Sequence, residues 1–106
     1  MGELQATVDK EGFLVSLGDW SPEVADQLAS AEGIELTDEH WRIISLVRDY
    51  YDRYHLSPAT RVLVNLVGRE LGPEYGRSIY LMKLFSGKPA KLVSKIAGLP
   101  KPSNCD

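Results

Sequence analysis

Proline and glycine residues divide this 106-residue chain into segments long enough only for short helices. Ser21-Pro22 and Ser57-Pro58 are typical helix starts, because serine caps the first turn and proline fits its first position. Glycines that follow such segments are typical of helix ends. They are Gly33, Gly72, Gly87 and Gly98. Between these signals apolar residues recur every three or four positions, which predicts a mainly α fold, a small orthogonal helical bundle.

Five helices are predicted from these signals, and the second is the longest. Their expected spans are Ser21 to about Ser30, Thr37 to Tyr54, Ser57 to Gly72, Pro73 to Gly87 and Pro89 to Ala97. The apolar stripe of the second helix is predicted to consist of Trp41, Ile44, Val47, Tyr51 and Tyr54. The second and third helices resemble a helix-turn-helix pair, so a regulatory protein that binds nucleic acid remains an alternative.

The N-terminal region predicts two short strands, Leu4 to Val8 and Phe13 to Leu17. The intervening residues 9–12 include a glycine, which favours an N-terminal β-hairpin. We expect residues 1–98 to form a single helical domain with this hairpin, and residues 99–106 to form a mobile C-terminal arm that carries Cys105.

Several classes of site are disfavoured by the sequence. Cys105 is the only cysteine, which excludes an intramolecular disulfide and a zinc cluster built on thiolates. His40 and His55 are far apart in sequence and are expected to be polar surface residues, so we expect no metal site and no cofactor. No signal peptide and no apolar run of about 18 residues is visible, so a cytoplasmic protein without a membrane partner is expected.

The charge of the chain is unevenly distributed. The formal net charge is -3, but residues 1–82 carry -7 and residues 83–106 carry +4. Lys91, Lys95 and Lys101 are therefore candidates for steering the arm towards an acidic or phosphate-bearing partner, although a solvated basic face is an equal alternative. Arg61 is a fourth candidate docking residue, which could hold a carboxylate of the arm or serve only as a surface or capping arginine.

Cys105 is the candidate catalytic residue. Pro100 and Pro102 disfavour helix in the segment before it, so the thiol is placed on a short and stiff arm. A thiolate is a strong nucleophile, and an arm of this kind can carry it into the active site of another protein. The alternative is a surface cysteine without a function.

Several motifs give this chain a resemblance to a known family. They are Gly33-Ile34-Glu35-Leu36-Thr37, His40-Trp41, Ser57-Pro58-x-x-Arg61, Leu71-Gly72-Pro73, Ser78-Ile79-Tyr80-x-x-Lys83-Leu84-Phe85 and Lys95-Ile96-Ala97-Gly98-Leu99-Pro100-Lys101-Pro102-x-x-Cys105. The sequence resembles the TusE/DsrC family of sulfur-carrier proteins over nearly its whole length. The resemblance implies a helical domain with a small hairpin and a mobile arm, and a penultimate cysteine, here Cys105, that accepts sulfur as a persulfide.

The resemblance also indicates a branch of that family. DsrC proteins carry a second arm cysteine eleven residues before the last one, and Ser94 stands at that position here. The one-cysteine pattern is similar to TusE, which implies a sulfurtransferase that takes sulfur from a TusBCD-type complex. Its acceptor would be a tRNA-thiolating enzyme, with or without tRNA bound, that makes 2-thiouridine at the wobble position. A DsrC-like protein associated with sulfite reductase subunits remains an alternative.

Overall fold

The structure is a computed structural model, and it describes residues 6–103. The described part contains five α-helices, which confirms the mainly helical prediction. They are α1 (Pro22–Ala31), α2 (Asp38–Tyr54), α3 (Thr60–Leu71), α4 (Ser78–Phe85) and α5 (Pro89–Ile96). Two short 3₁₀ turns, Leu17–Asp19 and Pro73–Tyr75, precede α1 and α4.

α5 is one of the two shortest helices and also the most central one. α5 has only eight residues, yet it packs against all four other helices. Six of its residues are buried, including the polar Ser94 and Lys95. Because α5 is buried on nearly every side, it has almost no solvent-exposed face. The unpaired backbone groups at its ends therefore need hydrogen-bond partners from the surrounding elements. The rest of the fold supplies them.

The predicted β-hairpin is not confirmed. Residues 6–103 contain no strand, only an isolated antiparallel bridge between Val8 and Leu14, and Leu4 lies outside the described residues. The Asp9 carboxylate accepts the backbone N–H of Phe13 at 3.0 Å, so it takes a donor that a longer ladder would use. The following chain then turns into the first 3₁₀ segment, which ends the extended conformation.

The predicted start of α1 is confirmed, whereas the predicted start of the third helix is not. The Ser21 hydroxyl accepts the backbone N–H of Val24 at 3.2 Å, and α1 begins at the proline after it. The predicted start of the third helix is wrong, because α3 begins at Thr60 and Ser57 does not cap it. The Ser57 hydroxyl instead donates to a carbonyl of the C-terminal segment.

The predicted start of the fourth helix is also wrong. Residues 73–75 form a separate 3₁₀ turn, and α4 begins at Ser78. The turn lies directly on α3, since a Cβ built on Gly76 would be 2.6 Å from the Cα of Gly68. This contact between two backbones requires glycine, and it separates the turn from the helix that follows.

The buried face of α2 differs from the predicted stripe. Its buried residues are His40, Ile43, Ile44 and Val47, whereas Tyr54 is 56% exposed. The last turn of α2 therefore extends beyond the core, and the helix ends at His55 in the left-handed conformation.

His40 is a buried connection between α2 and α4, so its prediction as a surface residue is wrong. Its Nδ1 accepts the backbone N–H of Thr37 at 3.0 Å. Its Nε2, 2.8 Å from the carbonyl of Leu84, must therefore be the protonated nitrogen that donates. The imidazole edge also packs on the ring of Phe85. The His40 side chain thus connects the start of α2 to the end of α4 through hydrogen bonds.

None of the helices between residues 6 and 103 is both long enough and apolar enough to span a membrane.

Replacing His40 with alanine is expected to lower the free energy of unfolding by about 2–4 kcal/mol, because it opens a cavity and leaves two backbone groups without partners. Urea denaturation measures this change. The control is His55→Asn, since His55 is exposed and asparagine tolerates the left-handed conformation. Equal stability of the two variants would contradict the role assigned to His40.

Candidate functional site

The candidate catalytic residue, Cys105, lies outside the described residues, which end at Ser103. The described segment that leads to this residue consists of the end of α5 and residues 97–103.

A Schellman motif ends α5. The N–H of Gly98 donates to the carbonyl of Lys95 at 3.1 Å, and the N–H of Leu99 donates to the carbonyl of Ser94 at 2.9 Å. Gly98 has a φ of +76°, as this motif requires of its left-handed residue. Leu99 then enters the hydrophobic core, where it is 3% exposed. The chain thus leaves the helix at Gly98, as predicted.

Two side chains from distant elements donate hydrogen bonds to carbonyls that have no partner within the Schellman motif. The indole Nε1 of Trp20 donates to the carbonyl of Ile96 at 2.9 Å. The guanidinium of Arg48, on α2, donates to the carbonyl of Ala97 at 2.6 Å. Buried carbonyls without a partner are costly, so these two contacts stabilise the end of α5 directly.

Arg48 and Trp20 also stabilise each other. The guanidinium carbon of Arg48 lies 3.8 Å from the centre of the indole ring, in a cation–π arrangement. Burial lowers the pKa of Arg48 from its ordinary value, and the Asp52 carboxylate opposes that effect. Arginine stays protonated under these conditions, so a positive charge faces the negative end of the α5 dipole. We call Trp20, Arg48 and Gly98 the α5 clamp.

The segment after the clamp lies against the body of the protein. The Ser57 hydroxyl donates to the carbonyl of Pro100, and Pro102 is buried. The ammonium of Lys101 lies 3.1 and 3.2 Å from the two carboxylate oxygens of Glu11. This ion pair is about half exposed, so its contribution is small, and the buried proline and the Ser57 contact matter more. Residues 99–102 therefore contact the body of the protein at several points.

Lys95 is placed differently from the other candidate docking residues. Its side chain is 9% exposed, and its ammonium lies 2.8 Å from the carboxylate of Glu32. The side chain runs over Gly12, where a Cβ would be 3.4 Å from Nζ, and over the ring of Phe13. Lys95 therefore joins α5 to α1 and to the N-terminal turn, and its charge does not face a partner.

Lys91 and Arg61 remain accessible. Lys91 is half-buried on α5, beside Lys88 and Ser86 in a surface depression. Arg61 is exposed in the first turn of α3, and within residues 6–103 it forms no ion pair. Lys91, Arg61 and Lys101 lie on three separate segments of the described structure, which are α5, α3 and the segment after α5.

Ser94, at the position where the resemblance implies a second cysteine in DsrC proteins, is fully buried in α5. Its hydroxyl has no hydrogen-bond partner among the described residues. An unpartnered buried hydroxyl costs free energy, so the site is better suited to a less polar group than to serine. The sequence gives the identity of this residue but not its surroundings.

No group of three or more potential metal ligands occurs within residues 6–103. His40 is committed to two backbone groups, and His55 stands at the exposed end of α2.

The helix-turn-helix interpretation is not favoured by the surface between α2 and α3. The groove between these helices is lined by the carboxylates of Asp49, Asp52 and Glu70 as well as by two arginines. One of these, Arg69, lies 3.6 Å from Glu70. Binding of a phosphate backbone normally requires a predominantly basic face, which this groove lacks.

Gly98→Ala is expected to destabilise the protein by about 3 kcal/mol or more. The new Cβ would lie 2.3 Å from Cδ1 of Trp20, and alanine is strained at this positive φ. Gly87→Ala is the matched control, because nothing lies within 4 Å of its Cβ position. Urea denaturation of both variants measures the difference, and a near-neutral Gly98→Ala would contradict the clamp.

Comparison with known proteins gives matches over nearly the whole chain. The family model described as "DsrC like protein" matches residues 1–105. The "Sulfurtransferase TusE homolog" of Haemophilus influenzae is 45% identical over 102 residues, covering 96% of this chain and 94% of that protein. "Sulfurtransferase TusE" of Sodalis glossinidius is 46% identical over 101 residues, covering 95% and 94%.

Solved structures match equally well. The NMR structure of Allochromatium vinosum DsrC has a TM-score of 0.86 and 46% identity, with both chains covered completely. The crystal structure of the oxidized gamma-subunit of the dissimilatory sulfite reductase (DsrC) from Archaeoglobus fulgidus has a TM-score of 0.83 and 42% identity, covering 95% of this chain and 92% of that one. The identities to proteins named TusE and DsrC overlap, so overall similarity does not separate the two branches. It does establish, with the family model, that the chain belongs to the family of DsrC-like proteins.

Proposed function

We propose that this protein is a sulfur carrier that accepts sulfur on Cys105 as a persulfide and passes it to a tRNA-thiolating enzyme. The product would be 2-thiouridine at the wobble position of tRNA. The proposal rests on the family of the chain, which is DsrC-like, together with its single cysteine at position 105. A chain of the DsrC-like family with one penultimate cysteine has a single sulfur atom through which it can exchange sulfur.

The chemistry requires only one thiolate at a time. The Cys105 thiolate attacks the outer sulfur of a donor persulfide, a new S–S bond forms, and the donor cysteine leaves as a thiolate. The outer sulfur then passes to a nucleophile of the acceptor, and the Cys105 thiolate is regenerated. No oxidant or reductant is consumed in either transfer between thiolate and persulfide, so the carrier needs no cofactor.

Ser94 favours the TusE-like role over the DsrC-like role. The family resemblance implies a second cysteine at this position in DsrC proteins, and the present chain has none. A disulfide or trisulfide between two arm cysteines is therefore chemically impossible here. The remaining mechanism is a relay through a single persulfide.

The second candidate is a DsrC-like protein that associates with sulfite reductase subunits. The backbone likeness to Allochromatium vinosum DsrC, complete over both chains, favours keeping it. The two candidates differ in partner. The first predicts binding to a TusBCD-type sulfur donor, and the second predicts binding to sulfite reductase subunits, so a pull-down with each purified partner separates them.

Docking of the carrier, which we place in the cytoplasm, would use the accessible basic residues. Lys91, Lys101 and Arg61 are suited to steer the arm (residues 99–106) towards an acidic surface or towards tRNA phosphate. Lys95 is left out of this set, because its charge is paired with Glu32 and buried.

Charge reversal tests the docking residues. Arg61→Glu and Lys91→Glu are expected to slow sulfur loading by about tenfold at low salt, since rim charges act mainly on the association rate. The effect should shrink as the ionic strength rises. Arg77→Glu, an exposed residue before α4, is the control. Equal slowing by Arg77→Glu would show a nonspecific effect of net charge.

Mass spectrometry of the intact protein tests the function itself. After incubation with a cysteine desulfurase, cysteine and a TusBCD-type complex, the wild type should gain one sulfur atom that dithiothreitol removes. Cys105→Ser should gain none, and its circular dichroism should match the wild type. Loading of the Cys105→Ser variant, or no loading of the wild type, would contradict the proposed function.

A further inference from the structure

The loop between α2 and α3, residues 55–59, combines an anchor for the C-terminal segment with an exposed apolar surface. Ser57 holds the carbonyl of Pro100. Leu56, immediately before it, is 60% exposed, and Tyr54, at the end of α2, is 56% exposed. Large apolar side chains that are exposed at neighbouring positions of the chain are candidates for an interaction site.

The length of the remaining chain limits where the reactive sulfur can go. Two peptide units separate the Cα atoms of Ser103 and Cys105, and each spans at most about 3.6 Å. The thiol therefore stays within about 10 Å of the Cα of Ser103. The preceding residues are held by Ser57, by Glu11 and by the burial of Pro102. While these contacts persist, a reacting partner must come to this end of the protein.

A partner that reaches the thiol is also within range of the loop. A stable protein interface buries about 800 Å² on each side, which corresponds to a patch roughly 30 Å across. Adjacent Cα atoms are about 3.8 Å apart, so the Cα of Leu56 lies within about 10 Å of the carbonyl that Ser57 holds. A patch of this size that includes the end of the described chain can therefore reach Leu56.

The chemistry of the loop indicates what kind of surface fits it. Leucine and tyrosine offer an apolar centre, and Arg61 nearby in the sequence offers a charge that forms no ion pair within residues 6–103. Tyrosine and arginine are enriched among residues that dominate binding at interfaces. The complementary surface is apolar where it faces Leu56 and carries a carboxylate where it faces Arg61.

We propose that Leu56, together with Tyr54 and Arg61, forms the docking surface for the protein that delivers sulfur to Cys105. This inference rests on the proposed function, since it assigns a surface to a partner of that reaction. The partner is recognised at Leu56 by apolar contact and at Arg61 by charge, and the thiol beyond Ser103 then lies within reach of its persulfide.

Leu56→Asp tests the assignment. The measurement is the rate at which a persulfide-loaded TusBCD-type complex transfers sulfur to the variant. We expect this rate to fall about tenfold or more, because the aspartate places a charge at an apolar contact. Alkylation of Cys105 by iodoacetamide should keep the wild-type rate, since a small reagent needs no docking. Thermal denaturation confirms that the variant is folded.

The matched control is Ile79→Asp. Ile79 is 63% exposed, close to Leu56 in exposure, and it lies on α4 rather than on the α2–α3 loop. It should transfer sulfur at the wild-type rate. Wild-type transfer by Leu56→Asp, or equal slowing by both variants, would overturn the docking surface.

Two further outcomes are distinguishable. If the wild type forms a dimer in sedimentation and Leu56→Asp is a monomer, the surface binds a second copy of the chain, and the assignment is wrong. If the wild type itself accepts no sulfur, the proposed function fails, and this inference falls with it. If the wild type accepts sulfur and Leu56→Asp accepts it at the same rate, the assignment of the docking surface is wrong. The proposed function is not affected by that result.

Discussion

The carbonyl groups at the C-terminal end of α5 are buried, and each of them requires a hydrogen-bond donor. The helix cannot supply these donors itself, so the turn at Gly98 supplies two, and Trp20 and Arg48 supply one each. These contacts join the 3₁₀ turn before α1, the middle of α2 and the end of α5. Since α5 also packs on every other helix, the position of the whole bundle relative to the C-terminal segment depends on them.

This constraint has a consequence for sulfur transfer. A thiol at the end of a long flexible tail would meet a partner's persulfide only at a low effective concentration. Here Leu99 lies in the core, the Ser57 hydroxyl donates to the carbonyl of Pro100, and Pro102 is buried. Cys105 follows Pro102 by three residues, so while these contacts persist the proposed carrier thiol can react only near this end of the protein.

The sequence predicted the features that depend on local signals. Ser21-Pro22 and Gly98 act through hydrogen bonds to residues close in the chain, so helix starts and ends of this kind could be found without the structure. The roles of Trp20, Arg48 and His40 could not, because their partners lie 44 to 76 positions away in the chain. Lys95 shows the same limit, since its charge suggested a docking role and only packing places it against Glu32. The predicted hairpin is reduced to one bridge, since the Asp9 side chain takes one backbone donor and a 3₁₀ turn follows at Leu17–Asp19.

The central claim is that sulfur on Cys105 is an intermediate that moves on to tRNA. The most direct test is to load the protein with radioactive sulfur, remove the donor, and add a tRNA-thiolating enzyme with ATP and unmodified tRNA. The account predicts that the label leaves the protein and enters the tRNA at about one sulfur for each carrier molecule in a single turnover. Label that stays on Cys105, or that is released as sulfide while the tRNA remains unlabelled, would contradict it.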